Sequence, residues 1–192
     1  MTDTRTRALH PAEPEPGILI HSRADRELAI AHWLLSAHPV PSRAATEWTE
    51  CGIALLPLGT LMSAVRLPQD LVRAVADQCG RDVDSFLNEA CDGGPVICDP
   101  WGCRYYALVP AGMPATWHVA AVEWRALGVE CLGRGAYLGV PEPRADSLNP
   151  HGWHPYWSPY WSVPMPSAGA LCRPLDVARI IAAGKRLACD EQ

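Results

Sequence analysis

Two apolar runs meet at a tetrapeptide in which each residue favours reversal of the chain. Pro95-Val-Ile-Cys-Asp99 and Cys103-Arg-Tyr-Tyr-Ala-Leu-Val109 flank Asp99-Pro100-Trp101-Gly102. An Asp at the first position can hydrogen-bond the turning backbone, Pro at the second presets φ, and Gly suits the fourth. The pattern predicts an antiparallel hairpin. A second hairpin is predicted where residues 129–132 and 136–140 flank Gly133, Arg134 and Gly135, because the glycines permit positive φ; Pro141 and Pro143 end it. Upstream, residues 53–58 and 61–67 are separated by Gly59 and Thr60, the spacing of a hairpin or of two abutting strands. Pro57 makes the first of these an edge or a strand end.

Helical spacing occupies the intervals. Ser22 and Asp25 resemble a capping pair ahead of Leu28, Ala31 and Leu35, with Pro39 and Pro41 closing that helix. Pro68 and Asp70 open a stripe of Leu71, Val72, Val75 and Ala76 that Gly80 closes, and a short helix is expected over 83–90, stopped by Gly93 and Gly94. Residues 174–187 return to helical spacing through Val177, Ile180 and Ile181, with Lys185 and Arg186 at the negative end of the helix dipole. Residues 141–159 read as loop, and the tract from Pro155 to Ser162, a perfectly repeated tetrapeptide, as strand or extended chain. The sum is α+β, a mainly antiparallel sheet with helices packed on it. It forms a single domain over 21–192 behind a flexible tail at 1–20, whose prolines and glutamates bury too little to offset ordering entropy.

Charge narrows the partners. A net charge of −5 argues against bulk electrostatic coating of nucleic acid, although a local basic patch is compatible with it. The cations are fifteen Arg and the single Lys185. No window has the length of a membrane span, and the N-terminus lacks the apolar core of an export signal, so the expected location is cytoplasmic. Eight cysteines in that setting read as reduced thiols, and no C-x-x-C pair points to a zinc module. Nucleophile-elbow, Walker A, G-x-G-x-x-G and H-E-x-x-H motifs are absent from the sequence.

Aromatic and cationic side chains carry the functional reading. Five aromatic residues fall between Trp153 and Trp161. In extended chain, residues four apart share a face, so Trp157 and Trp161 form one stacking surface or, alternatively, complete a core poor in Phe. Arg66, Arg104 and Arg134 fall on strands or turns, and Arg134 between two glycines suits close approach to a phosphate. Around the first hairpin, Asp92, Asp99, Cys91, Cys98 and Cys103 offer possible metal ligands, and a two-residue loop would set Cys98 opposite Cys103. The blander reading is a turn-forming Asp and core thiols, and no metal is assigned. His151 and His154 supply loop imidazoles without a fixed carboxylate partner.

Two stretches resemble the N-terminal domain of bifunctional DNA primase/polymerases, the prim-pol family of plasmids, phages and integrative elements. One is Trp48-Thr-Glu-Cys-Gly-Ile-Ala-Leu-Leu-Pro-Leu58. The other runs from Leu127 through Gly133-Arg-Gly135 to Pro143. The whole chain is also similar to actinobacterial proteins of this length labelled prim-pol-like. The family holds metal and nucleotide with an Asp-x-Asp pair and a later His. Here Asp99 is followed by Pro100, no second acid completes the pair, and no Gly-Gly-x-His occurs. A lone carboxylate cannot hold two metals across an in-line displacement, so polymerisation is expected to be lost. The resulting expectation is a non-catalytic module binding a nucleotide or nucleic acid through Arg66, Arg104, Arg134, Tyr106, Trp157 and Trp161, its cofactor unknown. The rivals are a small-molecule enzyme built on His151, His154, Asp99 and Cys103, with or without a metal, and a protein-interaction module that buries a partner or a second copy.

Overall fold

The computed structural model describes residues 22–145 and 158–190. The tail expected at 1–20 lies outside the described residues, as do Trp153, Tyr156, Trp157, His151 and His154. Helix α1 (Arg23–Leu35) begins at a reciprocal cap: the Ser22 hydroxyl accepts from the Asp25 N–H at 3.1 Å, and the Asp25 carboxylate accepts from the Ser22 N–H at 3.0 Å. Pro41 does not merely follow that helix. It opens α2 (Pro41–Cys51), where the missing N–H would be unsatisfied anyway, and Gly52 at φ 71 ends it in the left-handed region.

Beyond α2 the chain lays down strands in two layers. Strand β1 (Ile53–Pro57) enters a two-stranded ribbon, antiparallel to β6 (Tyr137–Pro141), in register from Ile53 opposite Pro141 to Pro57 opposite Tyr137. Strand β2 (Met62–Pro68) instead enters a five-stranded sheet with β3 (Val96–Asp99), β4 (Arg104–Pro110), β5 (Glu130–Leu132) and β7 (Tyr160–Val163), in the order β5-β2-β4-β3-β7 with all pairings antiparallel. The hairpin expected around Asp99 is therefore present, as β3 and β4. Residues 53–58 and 61–67 abut rather than pair. The hairpin expected over 129–140 is corrected: β5 pairs with β2 and β6 with β1, so the turn closed by the Ala136 N–H on the Gly133 carbonyl at 3.0 Å carries the chain from one layer to the other.

Those two changes of layer are packed against each other. The Leu58 N–H donates to the Ala136 carbonyl at 2.9 Å. Gly59 sits at φ 90, and a Cβ there would lie 2.4 Å from the backbone nitrogen of Arg134 and 2.5 Å from its Cα. Both the backbone angle and the lack of room require glycine.

The sheet buries both faces, unequally. Val65, Leu67, Val96, Tyr105, Ala107 and Val109 project into a core with α3 (Gln69–Gln78), α4 (Val83–Ala90) and α7 (Pro174–Asp190). These three helices match the expected amphipathic segments. α5 (Met113–Thr116) and α6 (His118–Trp124), which lead through a 3-10 turn (Arg125–Leu127) to β5, also join this side, with the Trp117 and Trp124 rings 6.0 Å apart. On the opposite face, Met62, Ala64, Ile97 and Leu108 meet Leu56, Leu138 and Val140 of the ribbon and Leu34 and Trp48 from α1 and α2. Trp48 also donates its indole N–H to the Val140 carbonyl at 2.9 Å. The rim of β1 is closed: its Leu55 N–H donates to the Glu47 carboxylate at 3.0 Å, and Pro57 has no N–H. Among the described residues, no helix is long and apolar enough to cross a membrane.

Gly59→Ala is expected to cost about 2–4 kcal/mol, combining left-handed strain with displacement of rigid backbone. Gly135→Ala, at φ 88 but with nothing within 4 Å of the added carbon, carries strain alone, about 1–2 kcal/mol. Urea unfolding of the two variants measures the difference, and equal losses would refute the packing argument.

Candidate functional site

Burial along β2 and β4 marks where the second layer stops. From Met62 to Val65 every residue of β2 is buried, as a strand covered on both faces requires; from Arg66 to Pro68 burial alternates. In β4 burial is continuous from Ala107 to Val109 and alternates over Arg104, Tyr105 and Tyr106. One end of one sheet face is thus left uncovered. The side chains on it are set by register: Arg66 lies opposite Tyr106 on one side and opposite Glu130 on the other, and Arg104 lies opposite Asp99. Directly opposed side chains have Cβ atoms about 5 Å apart, and diagonal neighbours such as Arg66 and Arg104 about 7–8 Å.

This open quarter is a half-buried ring bordered by alternating charge. The Arg66 guanidinium is ion-paired with Glu130, with 31% and 46% of their side chains exposed, so solvent screens the pair and its contribution to stability is small. Its Nε is buried and is the one such side-chain atom among the described residues with no hydrogen-bond partner. Arg104 donates from Nη1 to the Cys103 carbonyl at 3.0 Å. Asp99 accepts from the Gly102 N–H at 3.0 Å, and a Cβ on Gly102 would meet that carboxylate at 2.4 Å, so a larger residue there would turn the Asp99 side chain aside. Burial raises the Tyr106 phenol above its ordinary range. Asp99 and Glu130 push it the same way, while Arg66 and Arg104 pull against them. The ring therefore stays neutral at physiological pH. Trp101, on the adjoining turn, is 79% exposed.

Three of the expected site residues, Arg66, Arg104 and Tyr106, come together here. Arg134 does not: it lies four residues beyond Glu130 at the other end of β2, about 13 Å along the strand direction. Trp161 is corrected outright. It is 1% exposed, opposite Ile97 beneath the second layer, and its indole N–H donates to the Glu142 carbonyl at 3.1 Å, so it presents no ring for stacking. Trp157 lies outside the described residues. Sequence reasoning passed over Glu130; its signal was Arg66 on a neighbouring strand, legible only once β5 is known to pair with β2.

Paired-metal chemistry does not fit this quarter. Asp99 and Glu130 stand on β3 and β5, three strand spacings apart or about 14 Å, too far to share the two ions of an in-line displacement. No three His, Cys, Asp or Glu of the described residues could together hold a metal. The metal grouping around the hairpin also separates. Cys91 and Cys98 are buried on the helix-covered side, Cys103 is exposed in the turn at φ 50, and Asp92 pairs with Arg173 at 3.7 Å. Cys98 faces Tyr105, not Cys103, because the connection is four residues long, not two.

Behind the site, Tyr105 and Tyr160 lie opposite Cys98 on the two flanking strands, and burial first, then Cys98, raises both phenols well above their ordinary range. Burial also raises the Cys98 thiol, which is therefore no nucleophile at neutral pH. The folded chain keeps these protons where the unfolded chain loses them. The phenols' contribution to stability is consequently intact below about pH 10, their unfolded value, and is lost as pH rises beyond it, the thiol's from about pH 8.5. Urea midpoints at about pH 8 and about pH 10.5 should show a smaller alkaline loss in Tyr105→Phe than in the parent, and an equal loss would remove Tyr105 as a source.

Against this geometry, the chain matches no family model, no curated protein and no solved structure.

Proposed function

We propose that the chain is a non-catalytic module that binds a nucleotide or a short single-stranded nucleic acid on the uncovered quarter of its sheet, between β2, β4 and the Asp99 turn. The observation that carries this reading is the convergence of Arg66, Tyr106 and Arg104 on one open face, held by cross-strand register and not by long flexible loops. A neutral, partly exposed ring is a stacking surface for a base, worth about 1–3 kcal/mol. Arg104, half-buried and bonded among the described residues to a neighbouring carbonyl, keeps guanidinium N–H groups for a phosphate.

The flanking acids limit what binds. Asp99 and Glu130 offset the two arginines, so a long polyanion gains little from bulk attraction, and a ligand of one to three nucleotides that places one phosphate at Arg104 suits the site better. Glu130 and Asp99 can also accept from the amino groups of a base. Polymerisation is not part of the proposal, since the carboxylates are too far apart to hold paired metal ions.

Titration calorimetry with mononucleotides and short oligonucleotides at low salt tests the reading. Saturable binding is expected, weakened about five- to fiftyfold by Tyr106→Ala and about tenfold by Arg104→Ala. The logarithmic salt slope should correspond to about one phosphate contact. Absence of saturable binding, or binding indifferent to both substitutions, would remove the proposal.

A further inference from the structure

Beyond Arg104 the open quarter runs out into the connection between β3 and β4, and that connection is pinned at both ends. The Asp99 carboxylate holds the Gly102 N–H at 3.0 Å, and the Cys103 carbonyl accepts from the Gln69 N–H at 3.1 Å and from Arg104 Nη1 at 3.0 Å. Between these anchors stands Trp101, 79% exposed, the most exposed large apolar side chain among the described residues. The turn does not require an indole at this position, because Asp99, Pro100 and Gly102 supply its bonding and its φ. Nor does the core, since most of the ring lies in water.

Three groups follow one another from the sheet to the tip of the turn: the Tyr106 phenol, the Arg104 guanidinium and the Trp101 indole. Tyr106 and Arg104 are two residues apart on one face of β4, about 7 Å. Arg104 and Trp101 are three residues apart across the turn. Ring, cation and ring in that order match a base, a phosphate and the next base of a single strand.

Charge selects the same ligand. Arg104 stands opposite Asp99 in register, and Arg66, the other arginine of the quarter, is ion-paired with Glu130. One guanidinium beside a carboxylate suits the single charge of a phosphate that links two sugars. A terminal phosphate carries about −1.5 to −2 at neutral pH, and Asp99 repels it more strongly.

We propose that Trp101 is a second base-stacking site and that the ligand is a short single strand engaged through one internal phosphate, not a free nucleotide. This rests on the reading of the open quarter as a nucleotide site. One base stacks on Tyr106, the phosphodiester meets Arg104, and the neighbouring base stacks on Trp101. An aromatic ring takes any base by its π-face, so the second contact adds affinity without reading sequence. The pinned turn holds the indole in place before the strand arrives, which keeps the ordering cost of binding small.

Three probes are titrated calorimetrically into the full chain at low salt. They are d(ApA), with two bases and one phosphodiester; deoxyadenosine 5′-(methyl phosphate), with one base and the same charge; and deoxyadenosine 5′-monophosphate. d(ApA) is expected to bind about tenfold or more tighter than the methyl ester, and the ester at least as tightly as the monophosphate. Trp101→Ala should remove the advantage of d(ApA) and leave the affinity of the ester unchanged, while Trp101→Phe should keep most of that advantage. Equal binding of d(ApA) and the ester, preference for the monophosphate, an advantage that survives Trp101→Ala, or a loss shared equally by the ester would each overturn the inference. One-base binding that Tyr106→Ala abolishes, with no gain for d(ApA), leaves the nucleotide site standing and removes only the second stacking site. No binding of any probe removes both. The ribo form ApA is titrated alongside, and the tighter of the two dinucleotides identifies the strand as RNA or DNA.

Discussion

The architecture turns on the contact between Gly59 and the backbone of Arg134. Two separate connections, one before β2 and one after β5, leave the five-stranded sheet for the ribbon at the same point, and they touch where no side chain fits. Their contact fixes where the second layer begins. The ribbon has five paired positions, and together with α1 and α2 it covers Met62, Ala64, Leu108, Ile97 and Trp161 but ends before Arg66 and Arg104. The uncovered quarter is thus a geometric remainder of a short cover anchored at the opposite end of β2.

Polarity follows cover. Where two layers meet, the strand carries Ala, Leu, Met and Ile; one step beyond, the same face carries Arg, Tyr, Glu and Asp. A buried ionisable row would need its charges paired and fully hydrogen-bonded, and this row is only partly so. Among the described residues Arg66 has one carboxylate partner and an unmet Nε, while Tyr106 stays neutral among four charges. The other face of the same strands is closed by helices, with Tyr105 and Tyr160 flanking Cys98 beneath them.

Local signals carried most of the elements. The caps at Ser22 and Gly80, the Asp99 turn and the amphipathic spacing of α3, α4 and α7 are each decided within a few residues, so sequence sufficed. Strand destination was not local. Residues 129–140 contain a turn that is present, yet the partners of the two flanking strands are β2 and β1, remote in sequence. Trp161 failed for a related reason: the repeated tetrapeptide sets parity along β7, whereas cover decides exposure, and Ile97 opposite it lies beneath the ribbon. α5 and α6 are short, have no side-chain caps and are split at Trp117, which left little periodicity to read. Arg66 and Arg104 were legible as arginines on strands or turns, but the uncovered face that brings them to Tyr106 depends on where the second layer ends, which is not local.

The rim of β1 has one more bearing. A two-stranded ribbon ordinarily offers hydrogen-bonding groups to any passing chain, and its outer surface here is apolar at Leu55 and Tyr137. Glu47 occupies the Leu55 amide, and Pro57 contributes no amide at all. Growth of the ribbon into a fibril-like stack from that side is consequently obstructed by a carboxylate carried on α2, so a helix that helps build the interior also guards the molecule against uncontrolled self-assembly.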